Sequence, residues 1–371
     1  VALGHSRFGV FRTFSPEITF GGVLWYGVKL QAKMNIREAI EKLVNRVNLS
    51  EDETITVMNE IMTGEATPLQ VASFLTALRM KGETVEEITG AARVMREKAH
   101  RVNVQSKPVL DTCGTGGDQK GTFNISTTCA FVVAGAGVRV AKHGNRSVSS
   151  QSGSADVLAV LGVKVDAPKE RVEACIDKIG IGFLFAPLLH EAMKYAVQPR
   201  RDIGIRTIFN LLGPLTNPAM ATHQLLGLYG GELVGTIAHV LKNLGSARAM
   251  VVHGVEGLDE ISLCGPTKVA ELRDGQVKEY VIEPEALGLT RCRLEDLRGG
   301  SAEESAVVVR SVLQGKKGAA RDVVLLNSGA ALYVSGSAAS ITEGMRLAAE
   351  SIDSGKARQK LEGLVQMTTS A

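Results

Sequence analysis

The sequence predicts an α/β protein in which a small all-helical N-terminal unit precedes a larger domain built on a mostly parallel central sheet. Three observations carry this. Apolar spacing is helical throughout from Met34 to about Val104. From Pro108 onward, short apolar strands alternate with helical segments, the order expected of parallel strands joined by crossovers. Residues suited to gripping a ligand fall repeatedly just past predicted strand ends, where open parallel sheets bind.

Residues 1–33 stand apart. They hold the single Trp and several Phe without sustained periodicity. The apolar stretch from Gly21 to Val28 is too short to span a bilayer, and no secretory signal pattern is present. This segment is expected to be an upstream extension or a poorly ordered arm, with the fold opening at Met34.

The helical unit spans 34–104. Ile40, Leu43 and Val44 share one apolar face. Ser50 and Glu53 form a capping box, each side chain satisfying the other's free N–H, and start a helix through Met62. Thr67-Pro68 is an N-cap followed by proline at the first helical position, and this helix stops at Gly82. Thr84 and Glu87 form a second box, leading to about Ala99. Such a unit buries its apolar faces against itself, the rest of the chain or a second subunit.

The α/β domain spans 105–371. A strand ends at Val109-Leu110-Asp111, and Thr127 to Gly135 is a helix packed on the sheet. Val138 to Ala141 is the next strand, Ala155 to Leu161 a helix and Val163 to Val165 a short strand. Gly182 to Pro218 reads as helix and loop, with 188–218 expected to pack back onto the helical unit. Leu225 to Tyr229 and Ala249 to His253 read as buried strands, and Val323 to Asn327 as a strand leading into a loop and helix.

Composition narrows the function classes. The 371 residues are 44% hydrophobic and 22% charged, enough for more than one layered domain. A net charge of +3 makes no general demand for nucleic acid, and 4% aromatic content leaves little surface for stacking bases. The 5 cysteines, Cys113, Cys129, Cys175, Cys264 and Cys292, show no CxxC spacing. That suits a reducing cytoplasm and offers no zinc site.

The richest stretch is Asp111 to Thr127, DTCGTGGDQKGTFNIST. Its glycines allow positive φ and close backbone approach, so successive N–H groups can form an anion nest. A tight turn would need glycine too, but the hydroxyls and amides of Asn124-Ile125-Ser126-Thr127 add phosphate or Mg²⁺ partners. Thr127 is expected to open a helix whose N-terminus favours an anion. Lys142-His143-Gly144-Asn145-Arg146 reads either as a solvated basic turn or, with the serine-rich segment Ser147 to Ser154, as a phosphate site with Lys142 as point charge. In Arg200-Arg201-Asp202, one arginine is expected to pair with Asp202, leaving the other for a substrate carboxylate. Asp259-Glu260 reads as an oxygen-ligand pair for Mg²⁺ or as an acidic helix start.

These blocks, in this order, resemble the anthranilate phosphoribosyltransferase family of tryptophan biosynthesis, which shares its architecture with the nucleoside phosphorylases. The resemblance rests on DTCGTGGD, FNIST, KHGNRSVSSQSGSADVL, GFLFAPLLHEAMK, RTIFNLLGPLTNP and HGVEGLDE, and runs from about Met34 to near the C-terminus. It implies a helical domain that dimerises and is hinged to the α/β domain, and Mg²⁺-dependent transfer of a phosphoribosyl group to anthranilate. Phosphoribosyl pyrophosphate is implied to be held by Gly114, Gly117, Asp118, Thr122, Asn124, Ile125, Ser126 and Thr127. Lys142, His143, Gly144, Asn145, Arg146, Ser147, Val148, Ser149, Ser150 and Ser154 continue that site. Gly114, Asn145, His190, Arg200 and Pro214 are implied to face anthranilate, with His143 lining the same channel and Arg200 toward the carboxylate. Ser126, Asp259 and Glu260 are the implied metal ligands, and Lys142, His143 and Arg200 the implied catalytic groups. Two features depart from expectation. Glu256 stands where the family block more often has Asp, and Pro199 is expected to hold Gln198 extended. The rival readings are a pyrimidine nucleoside phosphorylase and a non-catalytic paralogue that binds nucleic acid.

Overall fold

The computed structural model describes residues 34–105, 108–147 and 152–370. The expectations for residues 1–33, and for Val148, Ser149 and Ser150, lie outside the described residues.

Four helices come first: α1 (Ile36–Val44), α2 (Glu51–Thr63), α3 (Pro68–Lys81) and α4 (Val85–Lys98). Each opens on a capping box, Asn35 with Glu38, Ser50 with Glu53, Thr67 with Gln70 and Thr84 with Glu87. Each box satisfies two N–H groups that a helix start leaves open. Val57, Met58, Ile61, Phe74, Leu75, Leu78 and Ile88 are buried among these helices.

The sheet follows. Its strands are β1 (Leu110–Gly114), β2 (Val140–Gly144), β3 (Ile181–Phe185), β4 (His223–Gly227), β5 (Arg248–Gly254), β6 (Thr267–Arg273) and β7 (Gln276–Ile282). Their order is β3-β2-β1-β4-β5-β6-β7. The first five strands in that order are parallel, and β6 and β7 add an antiparallel edge.

Between strands lie α5 (Ile125–Gly135), α6 (Ser154–Val160), α7 (Lys169–Ile179), α8 (Ala186–Leu189), α9 (Lys194–Ile203), α10 (Phe209–Leu215) and α11 (Val234–Asn243). After the sheet come α12 (Ala302–Leu313), α13 (Ala319–Val334), α14 (Ile341–Asp353) and α15 (Lys356–Thr369). α9 packs on α2 and α3, and α10 and α11 pack on α4, so the stretch between β3 and β5 meets the helical unit. α5 lies against β1 and β2 on one side and α13, α14 and α15 on the other. Its side chains Cys129, Phe131, Val132 and Val133 are at the centre of the core.

Several sequence expectations are corrected. β1 and β2 run on to Gly114 and Gly144, because their last residues still pair with Gly227 and Phe185. Lys142 and His143 therefore lie within a strand, not past its end. Val163 to Val165 is no strand: the Val163 N–H instead closes α6 by donating to the Leu158 carbonyl at 2.9 Å. Val323 to Asn327 is the middle of α13, where Val323, Val324, Leu326 and Asn327 are all buried. A helix enclosed on most sides shows a continuous apolar run, which periodicity cannot tell from a strand. α5 starts at Ile125, two residues before Thr127. Pro199 sits inside α9, so Gln198 is helical; packing against α2 and α3 outweighs the local preference.

Candidate active site

The sheet order turns at β1. The crossover to β2 leaves on one side, and the chain returns through β4 on the other. A switch of this kind leaves a crevice at the carboxyl ends of the strands. β1, β2, β4 and β5 each end on a glycine there. Two of these are required by close approach. A Cβ on Gly114 would lie 2.5 Å from Asp259 Oδ2, and one on Gly227 would lie 1.5 Å from the Asp259 carbonyl oxygen. The acidic segment thus lies directly over the ends of β1 and β4.

The glycine loop is held from several sides. Gly116 and Gly117 have φ of 64° and 71°, a region that side chains disfavour. So turned, the Gly116 N–H donates to Asp259 Oδ2 at 2.7 Å. The Tyr229 N–H donates to Thr115 Oγ1 at 3.0 Å. Arg206 donates to the Gly117 carbonyl while its guanidinium stacks 4.2 Å over the Tyr229 ring. Asp118 Oδ1 accepts from the Lys120 N–H at 3.2 Å, and its Oδ2 is buried without a partner among the described residues. Thr122 bridges to Arg298 at the far end of the loop.

The start of α5 faces the same crevice. Asn124 is its N-cap residue but makes no side-chain cap; its amide oxygen accepts from Ser305 Oγ at 2.7 Å and Ser152 Oγ at 3.1 Å. The first N–H of the helix, that of Ile125, donates to the Phe123 carbonyl at 2.7 Å. The Ser126 N–H donates to Glu260 Oε1 at 3.0 Å. Lys142 Nζ donates to the Thr112 carbonyl at 2.6 Å and to Ser126 Oγ at 3.3 Å. Ile125 and Thr127 are buried, so only their backbone groups remain for a ligand.

Neighbouring residues of a strand point to opposite faces. Lys142 faces Ser126 and α5. His143 faces the other way, its Nδ1 donating to the Gly213 carbonyl at 3.1 Å and its Nε2 lying 3.2 Å from His190 Nε2. A carbonyl only accepts, so His143 carries its proton on Nδ1. Burial first, then the neighbouring histidine, pushes His143 down to about 3. Burial first, then His100, pushes His190 down to about 4. Both rings are neutral at pH 7. Pro214, in α10, is buried next to Gly213, and its carbonyl accepts from Gln224. Beneath the strands, Asp111 Oδ1 accepts from the His143 N–H and Oδ2 from Asn217 Nδ2 at 2.8 Å. Its burial raises the carboxyl to about 6.

The loop after β2 is shaped by Asp156, which accepts from the Ser147 and Gly153 N–H groups at 2.9 and 3.0 Å. Arg146 pairs with the same carboxylate at 3.0 Å, so this cation already has a partner. Asn145 is exposed, and its carbonyl accepts from Ser154 Oγ at 3.3 Å. Gly144 lies against Ser154 and the Phe183 ring, with no room for a side chain.

Asp259 and Glu260 lie in a loop with no helix following, so they do not act as a helix start. Asn327 of α13 grips the next residue from both sides, accepting from the Ile261 N–H and donating to the Ile261 carbonyl, each at 2.9 Å. Glu256 accepts from Ser262 Oγ, which also accepts from the Cys264 N–H at 2.8 Å. The longer Glu256 side chain thus secures the turn that carries the acidic pair. Burial, then Asp118, raises the Asp259 carboxyl; burial, then Asp259, raises that of Glu260. Crowded carboxylates with oxygen-only donors and an unpartnered Asp118 oxygen fit a hard cation such as Mg²⁺. Among the described residues no three acidic, His or Cys side chains form a ready-made cage. Mg²⁺ usually has such incomplete protein ligation, using water and substrate phosphate for the rest.

Arg200 lies in α9 with its guanidinium 5.1 Å over the Phe209 ring. Burial alone lowers its pKa, with no acidic group contributing. Asp202 accepts from Gln198 at 2.6 Å, so the expected arginine pair with Asp202 does not form. Asp111, Asp156, Arg206, Asn217, Gly227, Tyr229 and Asn327 were not singled out from sequence. Asp111, Asp156 and Asn217 sit inside the blocks DTCGTGGD, SGSADVL and RTIFNLLGPLTNP, which was the available signal.

Residues 37–99 match the helical bundle domain of the glycosyl transferase family, and residues 106–358 match its a/b domain. The chain is 57% identical over 347 residues to the anthranilate phosphoribosyltransferase of Geotalea uraniireducens, covering 90% of this chain and 99% of that one. It resembles the crystal structure of anthranilate phosphoribosyltransferase from Thermus thermophilus with a TM-score of 0.85 at 45% identity, over 90% of this chain and 99% of that one. The Saccharomyces cerevisiae enzyme of that name, solved in complex with PRPP and Mg, matches at 29% identity with a TM-score of 0.81, over 91% of this chain and 98% of that one.

Proposed function

This chain belongs to the anthranilate phosphoribosyltransferase family, and we propose on that premise how its residues transfer the phosphoribosyl group of 5-phosphoribosyl 1-pyrophosphate to the amine of anthranilate. The products are N-(5-phosphoribosyl)anthranilate, a step of tryptophan biosynthesis, and pyrophosphate. The observation that carries the residue assignment is the joining of the glycine loop to the acidic pair through Gly116 and Asp259.

The bond from the anomeric carbon to pyrophosphate breaks early, the electron pair leaves with pyrophosphate, and the ribose gains oxocarbenium character. The anthranilate nitrogen then bonds to that carbon and loses a proton. This amine is neutral at pH 7, so no residue has to deprotonate it before attack. A conjugate acid depressed to about 3 makes His143 a weak base, in keeping with a role in lining the acceptor channel.

On one face of β2, Lys142 supplies a buried positive charge to the leaving pyrophosphate, beside the start of α5. The nest of Gly114 to Asp118, with Thr122, Asn124 and the loop from Asn145 to Ser147, surrounds the rest of the donor. Ser126, Asp259 and Glu260 would hold Mg²⁺, which when bound neutralises charge on the departing phosphates. On the other face, His190, Pro214 and Asn145 border the acceptor, and Arg200 meets its carboxylate. Among the described residues Arg200 has no acidic partner, which suits it to that contact. Much of the rate then comes from holding two substrates in line across the strand ends.

A homodimer completes this reading. A groove of about 520 Å³ lies between α1 and α3, lined by Leu43, Val44, Ala77 and Met80. Val44, Leu69 and Met80 are 67%, 77% and 70% exposed, an apolar surface suited to a second copy. The free thiols suit a cytoplasmic setting.

The test mixes purified protein with anthranilate, the sugar donor and Mg²⁺ and follows anthranilate fluorescence. Mg²⁺-dependent loss that requires the donor supports the assignment. Folded protein that leaves fluorescence unchanged at high concentration overturns it.

A further inference from the structure

Two half-exposed thiols lie beside the candidate site without entering it. Cys264 follows Glu260 by one short turn, and Cys292 precedes the turn Leu294–Leu297. Their sulfurs are 3.7 Å apart and both are free. The two backbones are already joined, since the Cys292 N–H donates to the Leu263 carbonyl at 3.2 Å. Bond formation asks the sulfurs to close by less than about 2 Å, within reach of side-chain rotation. Cys113, Cys129 and Cys175 are buried and, among the described residues, have no such thiol neighbour.

We propose that Cys264 and Cys292 are a reversible modification site, closed to an intramolecular disulfide by a small-molecule disulfide such as glutathione disulfide. The Cys264 thiolate attacks one sulfur of that oxidant and expels one glutathione thiolate. The deprotonated Cys292 sulfur then attacks Cys264 in the mixed disulfide and expels the second. Two protein thiols lose two electrons and two protons, and the oxidant becomes two thiols. Burial raises both thiols, Cys292 to about 12, so exchange is slow at neutral pH and speeds up as pH rises.

The position gives the bond a consequence. Cys264 is anchored through Ser262 to Glu256, in the turn that carries the acidic pair. The segment after Cys292 holds the far end of the glycine loop: the Phe123 N–H donates to the Leu297 carbonyl at 3.0 Å, and the Gly299 N–H donates to the Gly121 carbonyl at 2.9 Å. The disulfide therefore draws together the supports of two ligand-holding loops, and turnover falls about tenfold, as small displacements of a reacting geometry do.

The experiment equilibrates the full chain in buffers of graded reduced and oxidised glutathione, quenches with acid, blocks remaining thiols by alkylation in denaturant and maps peptides by mass spectrometry. Expected are a Cys264–Cys292 cross-link, alkylation of Cys113, Cys129 and Cys175 only, and recovery of thiols and turnover with dithiothreitol. Cys264→Ser and Cys292→Ser, checked for folding by thermal melting, should keep full turnover under oxidation. Thiols that stay reduced throughout, or glutathione adducts without the cross-link, overturn the site. A cross-link with unchanged turnover overturns its consequence. The peptide map does not depend on the transferase assignment, so the two fail separately.

Discussion

The Gly116 N–H donates to Asp259 Oδ2 at 2.7 Å across 143 residues of chain. This bond joins the two loops on either side of the switch point. It requires positive φ at Gly116 and a bare backbone at Gly114 and Gly227, so the glycines and the acids form one unit.

Gly227→Ala tests that unit without touching a charged group. The added methyl would overlap the Asp259 carbonyl, so the acidic loop has to shift. Turnover should fall about 100-fold, and stability by about 1–3 kcal/mol. Steady-state kinetics with thermal melting decides it, and wild-type turnover would show that the close approach does not position Asp259.

Asp259→Ala combined with Glu260→Ala removes both crowded carboxylates. Turnover should drop by about 100-fold, and the rise in melting temperature on adding Mg²⁺ should vanish. Without metal, the variant should melt above wild type, since repulsion and burial penalise these acids. Unchanged Mg²⁺ titration and turnover would remove their role.

Arg200→Ala separates the two substrates. Losing a charge-assisted contact worth about 1.5–3 kcal/mol should raise the KM for anthranilate at least tenfold, with a smaller change for the sugar donor. Kinetic constants equal to wild type would refute the carboxylate contact.

The histidine pair gives a pH dependence with a definite sign. His143 and His190 have folded values of about 3 and 4 against about 6.5 in the unfolded chain. Their contribution is present above pH 6.5 and is lost as pH falls toward 4 and 3, because the unfolded state takes up the protons. Between pH 6.5 and 5 this costs about 2 kcal/mol per histidine. The double variant His143→Asn with His190→Asn should therefore gain on wild type in melting temperature as pH is lowered to 5. A difference that stays constant with pH would show that the rings titrate normally.

The helical unit was legible because each helix start carries its own signal; Ser50 with Glu53 and Thr84 with Glu87 act within one turn. Ligand loops were legible because glycine, hydroxyl and charged residues interrupt apolar strands. The supports were not. Asn217 reaches Asp111 across 106 residues, and Asn327 reaches Ile261 across 66, so neither has a local pattern. The run Val323 to Leu326 misled for the opposite reason: α13 is enclosed so fully that its helical period is erased. The division between Lys142 and His143 was implicit in strand alternation, but only once β2 was seen to extend through them.

The start of α5 has a bearing on how long the protein survives. On the proposed assignment the donor binds against the start of this core helix, so a bound donor adds to the stability of the fold. At a free donor concentration of one hundred times Kd, the gain would be about 2.7 kcal/mol. Supply of the sugar donor would then bear on abundance as well as rate, since chains without it open more often. Slower proteolysis with rising donor concentration, at fixed anthranilate, would register that coupling.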